Sequence, residues 1–171
     1  MTAENAPAGG DEVRPDVAEV HQMLAAAHAS VAVAESLTGG LLGATLTSMA
    51  GASATFRGGV LVYSTDLKET LGGVPGPLLD AEGAVSAEVA AAMAAGVRDR
   101  TGATYGVALT GVAGPDLQEG HPAGTVFVAV AGPSGGQVRS LRLAGGRAAI
   151  RAGSVDQALQ MLRDVISADA G

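Results

Sequence analysis

The sequence predicts an α/β fold built around one mixed sheet, on three observations. Short uncharged apolar runs at residues 31–34 (VAVA), 60–63 (VLVY) and 105–109 (YGVAL) have the character of strands buried on both faces. Stretches with helical spacing separate them. Two further runs, 124–131 and 137–143, flank Pro133-Ser134-Gly135-Gly136, which has the composition of a hairpin turn. Strands that alternate with helices pair in parallel, and a closing hairpin adds antiparallel pairing, so the sheet is mixed.

In chain order, residues 1–13 (MTAENAPAGGDEV) are small, polar and rich in Gly, Pro and Ala, and read as a disordered tail. The folded domain runs over 14–168. Pro15-Asp16 opens a helix in which Val17, Val20, Leu24 and Ala27 line one face. His21 and His28 fall on or beside that face, two turns apart and roughly 10 Å along the axis, too far to share a metal. After the first strand, Glu35-Ser36-Leu37-Thr38-Gly39-Gly40 contains two glycines that allow a sharp turn, and 41–49 follows as a helix. The second strand leads into a short helix at 64–71, stopped by Gly72 and Gly73. Pro75, Gly76 and Pro77 mark a loop. Ser86 caps an alanine-rich helix that ends at Arg100, with Glu88 in its first turn. The closing helix starts at Arg147 and reaches about Ser167, with Ile150, Val155, Leu159, Leu162 and Ile166 on its inner face.

Composition removes several function classes. The chain of 171 residues is 47% apolar with only two tyrosines and two phenylalanines, so its core is built from Ala, Val and Leu. A net charge of −7 argues against nucleic acid as a partner. With no cysteine there are no disulfides, thiolate metal sites or cysteine nucleophiles. The histidines show no ligand spacing, so neither a metal nor a cofactor is expected. No run is long enough to span a membrane and no basic-then-apolar leader is present, so no membrane partner and a cytoplasmic location are expected. Phosphate-loop, dinucleotide and G-x-S-x-G motifs do not occur.

Ligands of open α/β sheets gather at the carboxyl ends of strands. Three loops leave such ends: 35–40, 63–68 and 110–124. Ser36 stands on the first, where a hydroxyl is either a helix cap or a nucleophile. Lys68 is the only lysine, against nine arginines. A chain that uses arginine wherever charge suffices has a reason to keep one lysine, since lysine can lose its proton and arginine cannot. Tyr63 stands five positions before it. The loop Thr110-Gly111-Val112-Ala113-Gly114-Pro115-Asp116 is either a plain connection or a backbone nest for an anionic or carbonyl group. Arg147 and Arg151 share a face at the start of the last helix, where cations are unfavourable unless an anion joins them. Arg57 either reaches the same anion or guards a strand entry.

The stretch AESLTGGLLGATLTSMAGASATFRGGVLVYSTDLKETLGGV, followed by GAVSAEVAAAMAAGVRDRTGATYGVALTGVAGPD, HPAGTVFVAV and GGRAAIR, resembles the CinA C-terminal domain family from about Val17 to Leu162. The resemblance implies a single three-layer α/β/α domain with a mixed, mostly parallel sheet. It also implies a nicotinamide-nucleotide amidase that converts nicotinamide mononucleotide (NMN) to nicotinate mononucleotide and ammonia, and a homo-oligomer, a dimer or larger. Residue by residue, the family's serine nucleophile matches Ser36, its lysine base Lys68 and its assisting tyrosine Tyr63. On this reading Lys68 takes the serine proton directly or through Tyr63. Backbone N–H groups around Thr38, Gly39 and Gly40 stabilise the oxyanion, while Thr110, Gly111, Gly114, Arg57, Arg147 and Arg151 contact the nucleotide. The chain departs from the family at Leu117-Gln118, where a Gly-Gly pair is usual, and at His121, where lysine is usual. The alternatives are a non-catalytic competence or DNA-damage binding domain, and an amidase of a different nucleotide.

Overall fold

A computed structural model describes residues 13–171. The tail predicted for 1–13 therefore lies, but for its last residue, outside the described residues. The elements are α1 (Pro15–Ala26), β1 (Val31–Glu35), α2 (Leu41–Thr47), a 3-10 turn (Ala52–Ala54), β2 (Phe56–Leu61), α3 (Thr65–Thr70), α4 (Gly76–Glu82), α5 (Ala87–Thr101), β3 (Tyr105–Gly111), β4 (Thr125–Gly132), β5 (Gly135–Arg142) and α6 (Arg147–Asp169). The sheet order is β2-β1-β3-β4-β5. β1 pairs in parallel with β2 and β3, whereas β4 runs antiparallel to both β3 and β5. Four strands thus share one direction and β4 alone opposes them, which is the mixed α/β/α arrangement the sequence predicts.

Alternation within the strands sorts the two faces by size. Val31, Val33, Tyr105, Val107, Leu109, Val126, Val128 and Val130 meet α1, α2 and α6. Ala32, Ala34, Ala108, Ala129 and Ala131 meet α5 on the other side. Alanine on that face lets α5 come very close. A Cβ added at Gly106 would lie 2.0 Å from the Ala94 carbonyl oxygen of α5, so only glycine fits there. Gly106→Ala is expected to cost about 1–3 kcal/mol by overpacking, read as a lower urea midpoint at unchanged m-value.

Three details differ from the sequence reading. The second strand, β2, starts four residues earlier than the predicted run 60–63 and ends two earlier, spanning Phe56–Leu61. It is an edge strand whose residues alternate between half-buried and exposed, and its register against β1 slips between Val31 and Ala32. Residues Pro75, Gly76 and Pro77 do not form a plain loop but open α4, since proline is well placed in the first turn of a helix. The hairpin turn is shorter than predicted, with Pro133 and Ser134 alone between β4 and β5.

His21 and His28 do not act together. His21 is buried, with Nδ1 2.5 Å from Thr55 Oγ1 and Nε2 2.8 Å from the Leu46 carbonyl, tying α1 to α2 and the 3-10 turn. His28 lies past the end of α1 at φ 50°. No described helix is long and apolar enough to cross a membrane.

Candidate active site

The parallel strands bring the carboxyl ends of β1, β2 and β3 to one edge of the sheet, and β5, which shares their direction, delivers the start of α6 to the same edge. Ser36 follows β1 directly and its N–H donates to the Leu109 carbonyl of β3 (3.1 Å). Val62 and Tyr63 leave β2 and lead into α3, which turns Lys68 inward.

Lys68 is only 1% exposed and Ser36 only 7%. Lys68 Nζ stands 3.1 Å from Ser36 Oγ and 3.0 Å from the Val62 carbonyl oxygen. Among the described residues no carboxylate is within ion-pair distance of it. Burial pushes the Lys68 ammonium below the ordinary amine range, and the charge of Glu119 opposes that shift without reversing it. A neutral amine can donate one N–H to Val62 and turn its lone pair toward the Ser36 hydroxyl. This is the geometry of a nucleophile beside its base.

Tyr63 lies on the cleft wall beside Ser36, but of the two routes the sequence reading allows, direct or through Tyr63, the contact of Lys68 with Ser36 is the direct one. Tyr63 is 60% exposed, and its hydroxyl accepts from Arg147 (3.0 Å) rather than bridging Ser36 and Lys68. A cleft of about 310 Å³ opens in front of Ser36, lined by Leu37, Tyr63, Gly111, Val112, Ala113, Gly114, Asp116, Leu117, Gln118 and Arg147. Gly111 and Gly114 are therefore cleft-lining residues. Thr110 is not, because it is buried and its hydroxyl donates to the Ala84 carbonyl (2.6 Å), anchoring the connection that precedes α5.

The arginines divide. Arg147 also donates to the Gly114 carbonyl (3.0 Å) and lies on the cleft wall. Arg151, one turn further along, donates to the Thr38 carbonyl (2.6 Å) and so holds the turn behind Ser36. Arg57 is at the opposite end of the sheet, near the start of β2, where it donates to the Thr101 carbonyl at the end of α5 (2.6 Å). It has no place in this site and takes the other of the two roles the sequence allows, at the entry of the strand, because it stands at the start of β2 whereas the site lies at the carboxyl end.

The turn itself is tighter than the sequence reading assumes. Gly39 (φ 58°) and Gly40 (φ 95°) occupy the left-handed region that favours glycine. Their N–H groups are both engaged inside the protein: Gly39 donates to the Ser36 carbonyl (3.1 Å) and Gly40 to Glu35 Oε2 (3.1 Å). Glu35, which the sequence reading left without a role, is 1% exposed and also accepts from Leu42 (3.0 Å) and Gly43 (2.8 Å). A signal for it was present: α2 has no acidic residue in its first turn, and a lone carboxylate ends the otherwise apolar strand just before it. Glu119 was missed as well. Glu119 and Gly120 both have positive φ between the paired Gln118 and His121, and the Glu119 carboxylate accepts from Val85 N–H (3.2 Å). No cluster of three or more His, Cys, Asp or Glu that could hold a metal ion exists among the described residues.

Residues 15–166 match the sequence profile of the CinA C-terminal domain. A "CinA-like protein" of Frankia casuarinae is 55% identical over 139 residues, 81% of this chain and 32% of that protein. A "putative competence-damage inducible protein" of Desulforamulus reducens is 48% identical over 144 residues, 84% of this chain and 35% of that one. The chain thus spans about a third of the length of these curated relatives. Among solved structures, a competence-damaged protein (CinA) superfamily protein of Escherichia coli superposes with TM-score 0.87 at 30% identity, covering 94% of each chain. The competence/damage inducible protein CihA of Agrobacterium tumefaciens gives TM-score 0.81 at 34% identity, covering 90% of this chain and 98% of that one.

Proposed function

Because the chain belongs to the CinA C-terminal domain family, we propose that it is a serine–lysine amidohydrolase that cleaves the carboxamide of NMN to nicotinate mononucleotide and ammonia. The observation that carries this reading is the buried Lys68 amine 3.1 Å from Ser36 Oγ at the floor of an open cleft. A non-catalytic binding domain has no use for an unpaired, buried lysine against a serine, which is costly to keep.

In the first half-reaction Ser36 Oγ bonds to the carboxamide carbon while neutral Lys68 takes the hydroxyl proton. Collapse of the tetrahedral intermediate breaks the C–N bond, and the proton passes from Lys68 to the departing nitrogen, which leaves as ammonia. Lys68, neutral again, takes a proton from a water that attacks the acyl ester. Collapse of the second intermediate breaks the ester C–O bond, the proton held by Lys68 returns to Ser36 Oγ, and the carboxylic acid departs and gives its own proton to solvent as nicotinate. Tyr63 is not needed as a relay, since the dyad contact is direct. Its hydroxyl instead steadies Arg147 at the cleft wall.

Arg147 supplies the positive charge that an enzyme of net charge −7 needs for an anionic nucleotide. It opens α6, a helix with no acidic residue in its first turn and no side-chain cap, so the helix dipole adds to the attraction for phosphate. Its guanidinium spends two donors on Tyr63 and Gly114 and retains others.

Incubating the purified protein with NMN and measuring ammonia tests the reading, and absence of release would overturn it. The arginines sharpen the test. Arg147→Ala is expected to raise KM for NMN roughly 10–100-fold, the worth of a charge-assisted contact, with a smaller change in kcat. Arg151→Ala, which removes the side-chain donor from the Thr38 carbonyl and leaves it only the Leu41 N–H, is expected to lower kcat more than it raises KM. Steady-state kinetics on both variants distinguishes the two roles.

A further inference from the structure

Of the turn that carries Ser36, two backbone donors have no protein partner among the described residues: the N–H groups of Leu37 and Thr38. Every other amide from Ser36 to Gly43 near the cleft is accounted for locally. Ser36 donates to Leu109, Gly39 to Ser36, Leu41 to Thr38, and Gly40, Leu42 and Gly43 to the Glu35 carboxylate. A buried carboxylate that accepts from three consecutive-turn N–H groups serves the start of α2 as its anion. The first turn of that helix is then closed to any ligand. An oxyanion formed at Ser36 must be met by the residues directly after the nucleophile, and Leu37 lies on the cleft wall.

We infer that Glu35 is a positioning residue for the reaction at Ser36: it pins α2 onto the end of β1 and thereby leaves the Leu37 and Thr38 N–H groups as the oxyanion donors. The inference rests on the proposed role of Ser36 as nucleophile. Two features bracket the carboxylate. From outside, Arg151 holds the Thr38 carbonyl, so the peptide that carries the free amides is fixed at both ends. From inside, Gly43 leaves Glu35 room, since a Cβ there would come within 3.3 Å of Glu35 Oε1. Glycine inside a helix is unfavourable by itself, and the contact with Glu35 explains why one is kept here.

Glu35→Gln is the direct test. An amide offers one oxygen to three donors and turns its own N–H groups toward theirs, so the turn must relax. The reagents are a small fluorophosphonate, which labels an activated serine without requiring that NMN be the substrate, and NMN itself. Expected for Glu35→Gln are a labelling rate and a kcat lowered about 10–100-fold with KM within about three-fold, the signature of a lost oxyanion contact. Circular dichroism must show the variant folded. Gly43→Ala is the second variant: it improves helix propensity yet pushes on Oε1, so thermal stability should hold or rise while kcat and labelling fall several-fold. A folded Glu35→Gln protein with labelling and kcat within about two-fold of wild type overturns the inference. If that variant does not fold, wild-type labelling and kcat in Gly43→Ala overturn it instead. Wild-type protein that labels but does not release ammonia from NMN defeats the substrate assignment alone, whereas wild-type protein that does neither defeats the nucleophile and this inference with it.

Discussion

Replacing Lys68 with arginine is expected to abolish turnover, with kcat for ammonia release from NMN lowered by roughly 10²–10⁴-fold. Arginine keeps the positive charge and most of the length, but it cannot give up its proton in a protein. If Lys68 served only to hold a phosphate, arginine would do as well, and this chain uses arginine at every other cationic position. Its burial and its 3.1 Å contact with Ser36 argue for the base instead. Ser36→Ala should fall to a similar level. The double variant should be little worse than either, because a nucleophile and its base act as one unit. Titration calorimetry with NMN separates lost chemistry from lost affinity, and thermal melts show whether the larger guanidinium is tolerated. A folded Lys68→Arg protein that still releases ammonia at near wild-type rate would sink the serine–lysine mechanism.

The parts of the fold legible in the sequence are those in which a run of apolar residues coincides with an element. β1, β3 and β4 are buried along nearly their whole length, and their uninterrupted Val/Ala/Leu runs reveal them. β2 is different. Arg57, Gly58 and Gly59 interrupt its hydrophobicity, and its residues are at most half-buried at this edge of the sheet, so the apolar run 60–63, which shares only Val60 and Leu61 with β2, reads as the strand. α4 was hidden by Pro-Gly-Pro, which reads as a loop until tertiary packing of Leu78 and Leu79 selects the helix.

In the site, the pairing of Ser36 with Lys68 was more legible than the positions of the arginines. A lone lysine in an arginine-rich chain is a compositional signal, and the structure sets that lysine against Ser36. Which of Arg147 and Arg151 faces the cleft depends on how the last helix is rotated against the sheet, which one sequence does not supply. Arg147 is on the cleft wall, Arg151 behind the turn and Arg57 at the far end of the sheet. Glu35 escaped notice because a strand-end carboxylate is ordinarily solvated, and only the three amides converging on it reveal its role.

The same burial that suits Lys68 to the proposed role of base is expected to weaken the fold. Lys68→Met should therefore be inactive and yet more stable than wild type near neutral pH, by roughly 1–3 kcal/mol, because replacing a buried ionisable group by an apolar one of similar volume is commonly stabilising. The Val62 carbonyl loses its partner in this variant, at a cost of about 1 kcal/mol, which the relief of desolvation exceeds. For a chain of this length such a gain corresponds to a melting temperature raised by roughly 3–10 °C. The pH dependence fixes the cause. In the folded protein the lysine loses its proton more readily than its ordinary value of 10.5. Between the folded and unfolded pKa values the unfolded chain binds a proton that the folded one has released, so wild-type stability rises with pH across that window. Below it both states are charged and the full penalty remains; above it both are neutral and the penalty is gone. The advantage of Lys68→Met should accordingly be largest on the acid side and shrink as pH climbs toward 10.5. Urea unfolding of both proteins at several pH values measures that difference directly. A Lys68→Met protein less stable than wild type at neutral pH, or a stability difference that does not change with pH, would show that Lys68 is not held by burial in a state biased toward the free amine.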